Sequence, residues 1–540
     1  MMASPRPVNE DIRHEMEVDG DEEAQRSVSD ATANDDDEPS QPSTQVASRV
    51  ASVHEVKDEK HAFLVHLEAK EEPKNFSVWR KWIIIEVVCM GALCSTCASS
   101  MAAYADDGIA ATFHVGTEVA VLGVTTFLVG LGKRTATAVT LSHSCMQFNI
   151  GQGPLFVGPL SEVYGRSPVY IVSFFVFFAL SWAVCFAPDI ATYVIFRYLT
   201  GLASSAFLSV AGGTVSDLFV PSEVGIPMAI YTLHPFIGTM LGPVLSGFIN
   251  QNTNWRWTYW TLQIWIFVQL LAIIGLVPET FEPVLLKRKA KKLRKATGDS
   301  RYYAPLDHRE ISMVRAVLKS CWTPFKLLLL DRMALLLDIW TALVLGIIYL
   351  AFEAWPFIFI DKHGFSLQQN GMACIGLGVG MIFGCALNIG IIIWNRRRFA
   401  KNNIKPTPET SLIQGMIGGV VVPASLFWLA LTTFKHVHWI APIIASAFYG
   451  VGFYLCFAST FTYLVAAFRP IAASAMAGNA FVRACFAGAF PLFASQMYEG
   501  MGTIGATCLL AGVMTVAAPL PFIFYRIGAR LRAKSPMAAK

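Results

Sequence analysis

A few polar side chains interrupt long apolar stretches of this sequence. Glu86 lies in "KWIIIEVVCM", Arg197 in "FRYLTGLASS", His234 in "YTLHPFIG" and Glu353 in "YLAFEAWPFIF"; Arg483 follows Asn479 by one helical turn. Charge in such surroundings is costly, so each group is either held by a partner or put to use. A carboxylate or imidazole moved between dry and wet surroundings can take up a proton in one state and release it in another. The plainer reading of each is a structural polar contact, the more common role for a lone histidine on a helix. Around Glu353 stand Tyr349, Phe352, Trp355 and Phe357, aromatic residues able to line a cavity for flat amphipathic compounds or simply to pack.

Two more constellations carry a physical purpose. "GPLSEVYGRSP" (158–168) is a short turn between apolar runs, with an acid, Glu162, and a base, Arg166, four residues apart and glycines at 158 and 165. Such a pair can be made in one conformation and broken in another; the bland alternative is a surface ion pair of about 0–1 kcal/mol. "GTMLGPVLSG" (238–247) places Gly238, Gly242 and Gly247 on an apolar segment with Pro243 between them. Glycines at this spacing let helices approach closely, and the proline deforms the segment. No metal-ligand spacing is present: the cysteines fall mostly inside apolar runs, and Cys94–Cys97 is an isolated pair. The sequence contains no GxxxxGK[ST] phosphate loop, and "GLGVGMIFG" (376–384) lies in an apolar stretch with no strand before it, which favours helix packing over nucleotide binding.

The elements that must position these groups follow from composition. Of 540 residues 54% are hydrophobic and 15% charged, with a mean hydropathy of +0.49; soluble domains carry about 25% charged residues. Apolar stretches long enough to cross a bilayer as helices fall at 82–103, 117–132 (resuming after 151), 168–187, 191–213, 227–249 and 258–277, then at 334–359, 369–394, 412–433, 439–465, 473–496 and 502–525. The expected fold is all-α and integral to the membrane, twelve transmembrane helices in two six-helix bundles, 73–277 and 333–526. A hydrophilic central loop, 278–332, joins them, and a short tail, 527–540, follows. Lys and Arg crowd 285–295, 396–405 and the C-terminal tail, whereas 104–117 has Asp106 and Asp107 and no cation; this places both termini and the central loop in the cytoplasm. The basic stretch is a topology signal that can also touch anionic lipid, and nucleic acid is not an expected partner. Residues 1–72, acidic and Ser-rich, are expected to be a disordered cytoplasmic tail.

With these features the chain resembles the major facilitator superfamily, and within it the fungal drug:proton antiporter-1 branch. The 158–168 turn matches the family's signature between its second and third helices, in which an acid and one or two bases gate the inward side; Ser167 stands where a second base is usual. Arg197 matches a basic fourth-helix residue linked in the family to proton transfer. The 238–247 segment is similar to the fifth-helix signature of proton-coupled exporters. "PETFEPVLLKRKAKKLRKATGD" (278–299), "NWRWTYW" (254–260) and "FPLFASQMYEGMG" (490–502) look like the branch itself. The resemblance implies export of drugs, fungal metabolites or toxins, or polyamines, driven by a proton gradient without a cofactor. A monomer is implied, in the plasma membrane or alternatively a vacuolar or other internal membrane. A sensor that has lost transport and an importer are the competing classes; an enzyme is not expected. Where the branch often reads "NYLVDAY" this chain reads "TYLVAAF" (462–468), so an acid that could recognise a polyamine is missing and a less cationic, more aromatic substrate fits better.

One passage breaks the pattern. Residues 133–151 are polar and split the second span, leaving 117–132 with a rise of about 24 Å against a hydrocarbon core of about 30 Å. Deleting them joins the flanks as "FLVGLGQGPLFVGPLSEVYGR", an unbroken helix. Two readings stand: a translated, unspliced intron, since Gly-Lys-Arg at 132–134 can be encoded with a splice-donor sequence, or a genuine insertion beside the 158–168 turn. The intron reading predicts mature transcripts lacking these codons; transcripts that uniformly retain them rule it out.

Overall fold

The structure, a computed structural model, describes residues 63–113, 153–154, 156–158, 160–220, 223–305, 313–402, 407–468, 471–535 and 537–538; at some helical positions, Glu353 among them, only the backbone is described. Residues 1–62, the 117–132 span and the 133–151 passage lie outside the described residues.

Regular structure among the described residues is helical: α1 Val78–Ser100, α2 Asp106–Phe113, α3 Arg166–Cys185, α4 Ile190–Ser204, α5 Ala206–Leu218, α6 Gly225–Asn252, α7 Arg256–Leu276, α8 Glu282–Thr297, α9 Met313–Leu330, α10 Arg332–Trp355, α11 Leu367–Asn402, α12 Leu412–Thr432, α13 Ile440–Ala467, α14 Ala472–Ala517 and α15 Leu520–Lys534. Ten helical segments among the described residues are long and apolar enough to span a membrane, α4 and α5 forming one of them together. A helix meets its own backbone hydrogen-bonding needs, the condition for crossing hydrocarbon. Large apolar side chains such as Phe175, Ile264, Phe383 and Val516 are more than half exposed, as a lipid-facing surface requires. Helix ends are set by ordinary chemistry. The Asp189 carboxylate caps α4 by accepting from the Thr192 N–H at 2.8 Å, and Asp331 caps α10 through Met333 and Ala334, both at 3.0 Å. Gly502, with φ of 71° and ψ of 166°, breaks α14 into the two expected apolar runs.

The expected central loop is instead partly helical. In α8, Glu282 and Pro283 open the helix, Arg294 and Lys295 occupy its last turn, and Gly298 closes it in the left-handed region at φ 71°; these residues suit both ends of the helix dipole and the terminal turn. The stretch 65–72, assigned from sequence to the disordered tail, packs against it. Val65 is buried with Ala290 and Ala304, and the Lys289 ammonium lies 2.7 Å from Glu71. One apolar contact and an ion pair supply what composition alone did not show.

Two principal buried clusters form. One gathers α1, α3, α5 and α7 around Cys94, Tyr170, Phe174, Phe207 and Ile266; the other gathers α10 to α14 around Trp340, Phe359, Phe453 and Phe457. Helix α6 contributes to both, Tyr231 to the first and Phe236 and Met240 to the second. It is gripped on two sides. A Cβ on Gly238 would fall on Thr96 Oγ1 and the Leu93 carbonyl of α1, one on Gly242 on Ser100 Oγ, and one on Gly371 of α11 would lie 2.6 Å from the Pro243 carbonyl oxygen.

Candidate functional site

Three groups of polar side chains bring helices together, and each recombines residues that stand far apart in the sequence. The first joins α1 to α6. Glu86 Oε1 lies 3.3 Å from His234 Nε2, and His234 Nδ1 lies 2.9 Å from the Ile230 carbonyl oxygen. The carbonyl can only accept, so Nδ1 carries a hydrogen. Nε2 and the carboxylate then face each other as two acceptors unless one proton sits between them. The contact lies about 12 Å along α1 from its first residue. Glu86 is exposed over more than half of its side chain, while His234 is mostly covered.

The second group surrounds Arg197, which is 2% exposed. Its Nη1 donates to the Ala98 carbonyl at 3.1 Å, and its guanidinium lies 5.5 Å from the Tyr259 ring centroid. Nε and Nη2 are buried without an acceptor among the described residues. The third group lies between α10 and α14. Asn479, fully buried, donates one amide hydrogen to Asp338 Oδ1 at 2.8 Å and the other to Thr341 Oγ1 at 2.9 Å. Arg483, one turn further, is half-buried, and Asp338, Tyr231 and Tyr349 lie within its electrostatic range. Asp338 is 1% exposed.

At the start of α3 the charges of the 158–168 segment pair differently from the sequence expectation. Arg166 is mostly buried, and its Nε lies 3.1 Å from Asp217 Oδ2 at the end of α5. Its backbone N–H donates to Glu279 Oε1 at 2.8 Å, its Nη1 to Ser161 Oγ, and its guanidinium lies 4.7 Å from the Phe281 ring. Glu162 is exposed and pairs with nothing among the described residues. The reason is Gly165: at φ 102° it ends the helical turn that carries Glu162, so the two residues do not share a helix face. A side chain at 165 would also strike the Glu279 carboxylate. Gly158 lies half-buried in helical backbone and has open space around it.

Three members of the aromatic set are packed in the interior. Tyr349, Phe352 and Trp355 are each no more than 4% exposed and belong to the second buried cluster. They recur every three residues, which turns them to one packed face of α10 rather than to open space. Phe357 is half-buried and stacks on Tyr498 at 6.2 Å. The Glu353 side chain lies outside the described residues. Phe236 of α6 meets Phe453 and Phe457 of α13 within the second buried cluster, at 4.7 Å to each.

The family model described as Major Facilitator Superfamily matches residues 88–491. The chain belongs to the Major Facilitator Superfamily. It is 44% identical over 398 residues, 72% of this chain and 83% of the relative, to "Efflux pump atB" of Aspergillus terreus. It is 40% identical over 470 residues, 86% of this chain and 87% of the relative, to "Probable drug/proton antiporter YHK8" of Saccharomyces cerevisiae. Among solved structures, the human organic anion transporter MFSD10 aligns with a TM-score of 0.57 at 16% identity, over 82% of this chain and 99% of that one. The xylose transporter XylE from E. coli, in a partially occluded inward open conformation, aligns with a TM-score of 0.55 at 15% identity, over 83% and 99%. At these identities the structures speak for the fold alone. This facilitator is thus a multi-pass membrane protein with an all-helical fold.

In this facilitator, sequence reading missed Asp217, Glu279 and Asp338. Asp338, in "LLLLDRMALLLDIW" (327–340), is an acid within an apolar run and met the same criterion that singled out Glu86. Glu279 sits in the quoted "PETF". Asp217 carries no local signal, since its partner is 51 residues away. The Arg166–Asp217 pair makes a direct prediction. Asp217→Asn leaves the Arg166 charge buried without a counter-charge and is expected to destabilise the protein by about 3–5 kcal/mol. Glu162→Gln should stay within about 0.5 kcal/mol of the parent. Thermal unfolding of the purified proteins compares them, and the opposite order would return the gate to Glu162.

Proposed function

We propose that this facilitator is a proton-coupled exporter of small organic molecules: drugs, fungal secondary metabolites or toxins, or polyamines, the last disfavoured by the missing acid at 462–468. The observation that carries the reading is the Glu86–His234 contact, a one-proton holder on α6, the helix that belongs to both buried clusters. A proton there and a substrate between the clusters can be exchanged as access alternates from one side to the other. The names of the relatives, efflux pump and drug/proton antiporter, support the same direction of transport.

The finer picture is twelve membrane helices in two bundles, with the 117–132 span as the second, and both termini in the cytoplasm. The protein acts as a monomer in the plasma membrane, drawing on the proton gradient with no cofactor. Arg197, buried with two donor atoms that find no acceptor among the described residues, fits a role in passing the proton, and the Arg166–Asp217–Glu279 group fits the inward gate. Expression in a drug-sensitive yeast tests the function. Accumulation of at least one compound from a broad panel should fall, and a protonophore should abolish the difference; no effect on any compound would defeat the reading.

A further inference from the structure

Arg483 is a cation that the proton-handling pair and the gate leave unused. Among the described residues no carboxylate forms an ion pair with it, and its Nε is buried without an acceptor. Asp338 is held by Asn479 instead. The guanidinium lies 5.3 Å from the ring centroid of Phe457 and 5.0 Å from that of Phe461, two residues one turn apart on α13. Phe457 in turn meets Phe236 of α6, so an aromatic surface within the second buried cluster reaches from α13 to α6, the helix that also contributes Tyr231 to the first.

A guanidinium in apolar surroundings is costly unless an anion meets it. Its planar fork matches a carboxylate through two parallel hydrogen bonds, and its weak hydration lets it lie against aromatic faces while doing so. A cationic substrate would meet like charge at this point. A ligand with a flat ring and an acid group would satisfy both features, with its ring against the phenylalanines and its carboxylate on the fork.

We propose that Arg483, Phe457, Phe461 and Phe236 form a binding site for a flat aromatic carboxylate. The proposal rests on the export reading for the direction in which such an acid moves, but not for its binding.

The probes are 1-naphthoate and its neutral counterpart 1-naphthamide, binding to the purified full-length chain in detergent, measured calorimetrically with no gradient present. The naphthoate is expected to bind at least about tenfold more tightly, and Arg483→Gln should bring the two to near equality by removing the charged fork. Arg483→Lys, which keeps the charge but not the fork, should lose part of the naphthoate preference and leave naphthamide binding unchanged. This second variant decides the matter if the glutamine protein does not fold. Equal affinity of the parent chain for both probes overturns the site, as does a folded Arg483→Gln or Arg483→Lys protein with the preference intact. Loss of proton-driven efflux in yeast with naphthoate binding intact would count against the export reading alone.

Discussion

Glu86→Gln is expected to reduce the stimulation of efflux by a proton gradient by between about 5- and 150-fold, the range of a typical coupling free energy between two ligands. The glutamine amide can donate to His234 Nε2 across the same 3.3 Å contact, so the pair keeps its hydrogen bond but no longer exchanges a proton. That separates coupling from folding: the variant should reach the membrane and unfold at nearly the parent temperature. The measurement is efflux from loaded cells or vesicles with the gradient imposed and then collapsed. In the parent the two rates differ, and in the variant they should converge. His234→Gln is expected to behave similarly, since it too removes a titrating partner while preserving a polar contact. Undiminished gradient stimulation in Glu86→Gln would exclude this pair from coupling.

Gly238→Val should be the most damaging packing change. Its new side chain meets the Thr96 hydroxyl and, more seriously, the Leu93 carbonyl of α1; a backbone atom cannot swing away as a side-chain tip can. Helix α6 would have to back off toward α11, where Gly371 already brings the two helices into backbone contact. Overpacking of this kind costs about 1–3 kcal/mol. The expected outcome is a lower unfolding temperature of the purified protein together with loss of efflux. Gly238→Ala should show the same effects to a smaller degree. A valine variant with parental stability and efflux would mean that α1 and α6 do not need this approach.

The apolar runs of the described spans were legible because a bilayer demands length and composition that almost nothing else does. The run at 168–187 corresponds to Arg166–Cys185, and that at 227–249 to Gly225–Asn252. Contacts distant in sequence were not legible. Glu86 and His234 each stood out alone, but their meeting depends on how closely α1 and α6 pack, which the glycines at 238 and 242 permit without specifying a register. For Arg166 the nearest acid in sequence was the natural partner, and the conformation of one glycine decided otherwise. Helix α8 was hidden for a different reason: its charged composition reads as loop, and only the arrangement of Glu282, Pro283 and Gly298 at its two ends marks it as a helix.

The sharing of α6 between the two buried clusters has a mechanical consequence. If one cluster turns against the other, a helix anchored in both becomes the pivot, and displacement grows with distance from it. His234 sits between Tyr231 and Phe236, where α6 passes from one set of contacts to the other. A small adjustment there, of the size that making or losing one hydrogen bond requires, acts on the short arm of a lever whose long arms end at the two faces of the membrane.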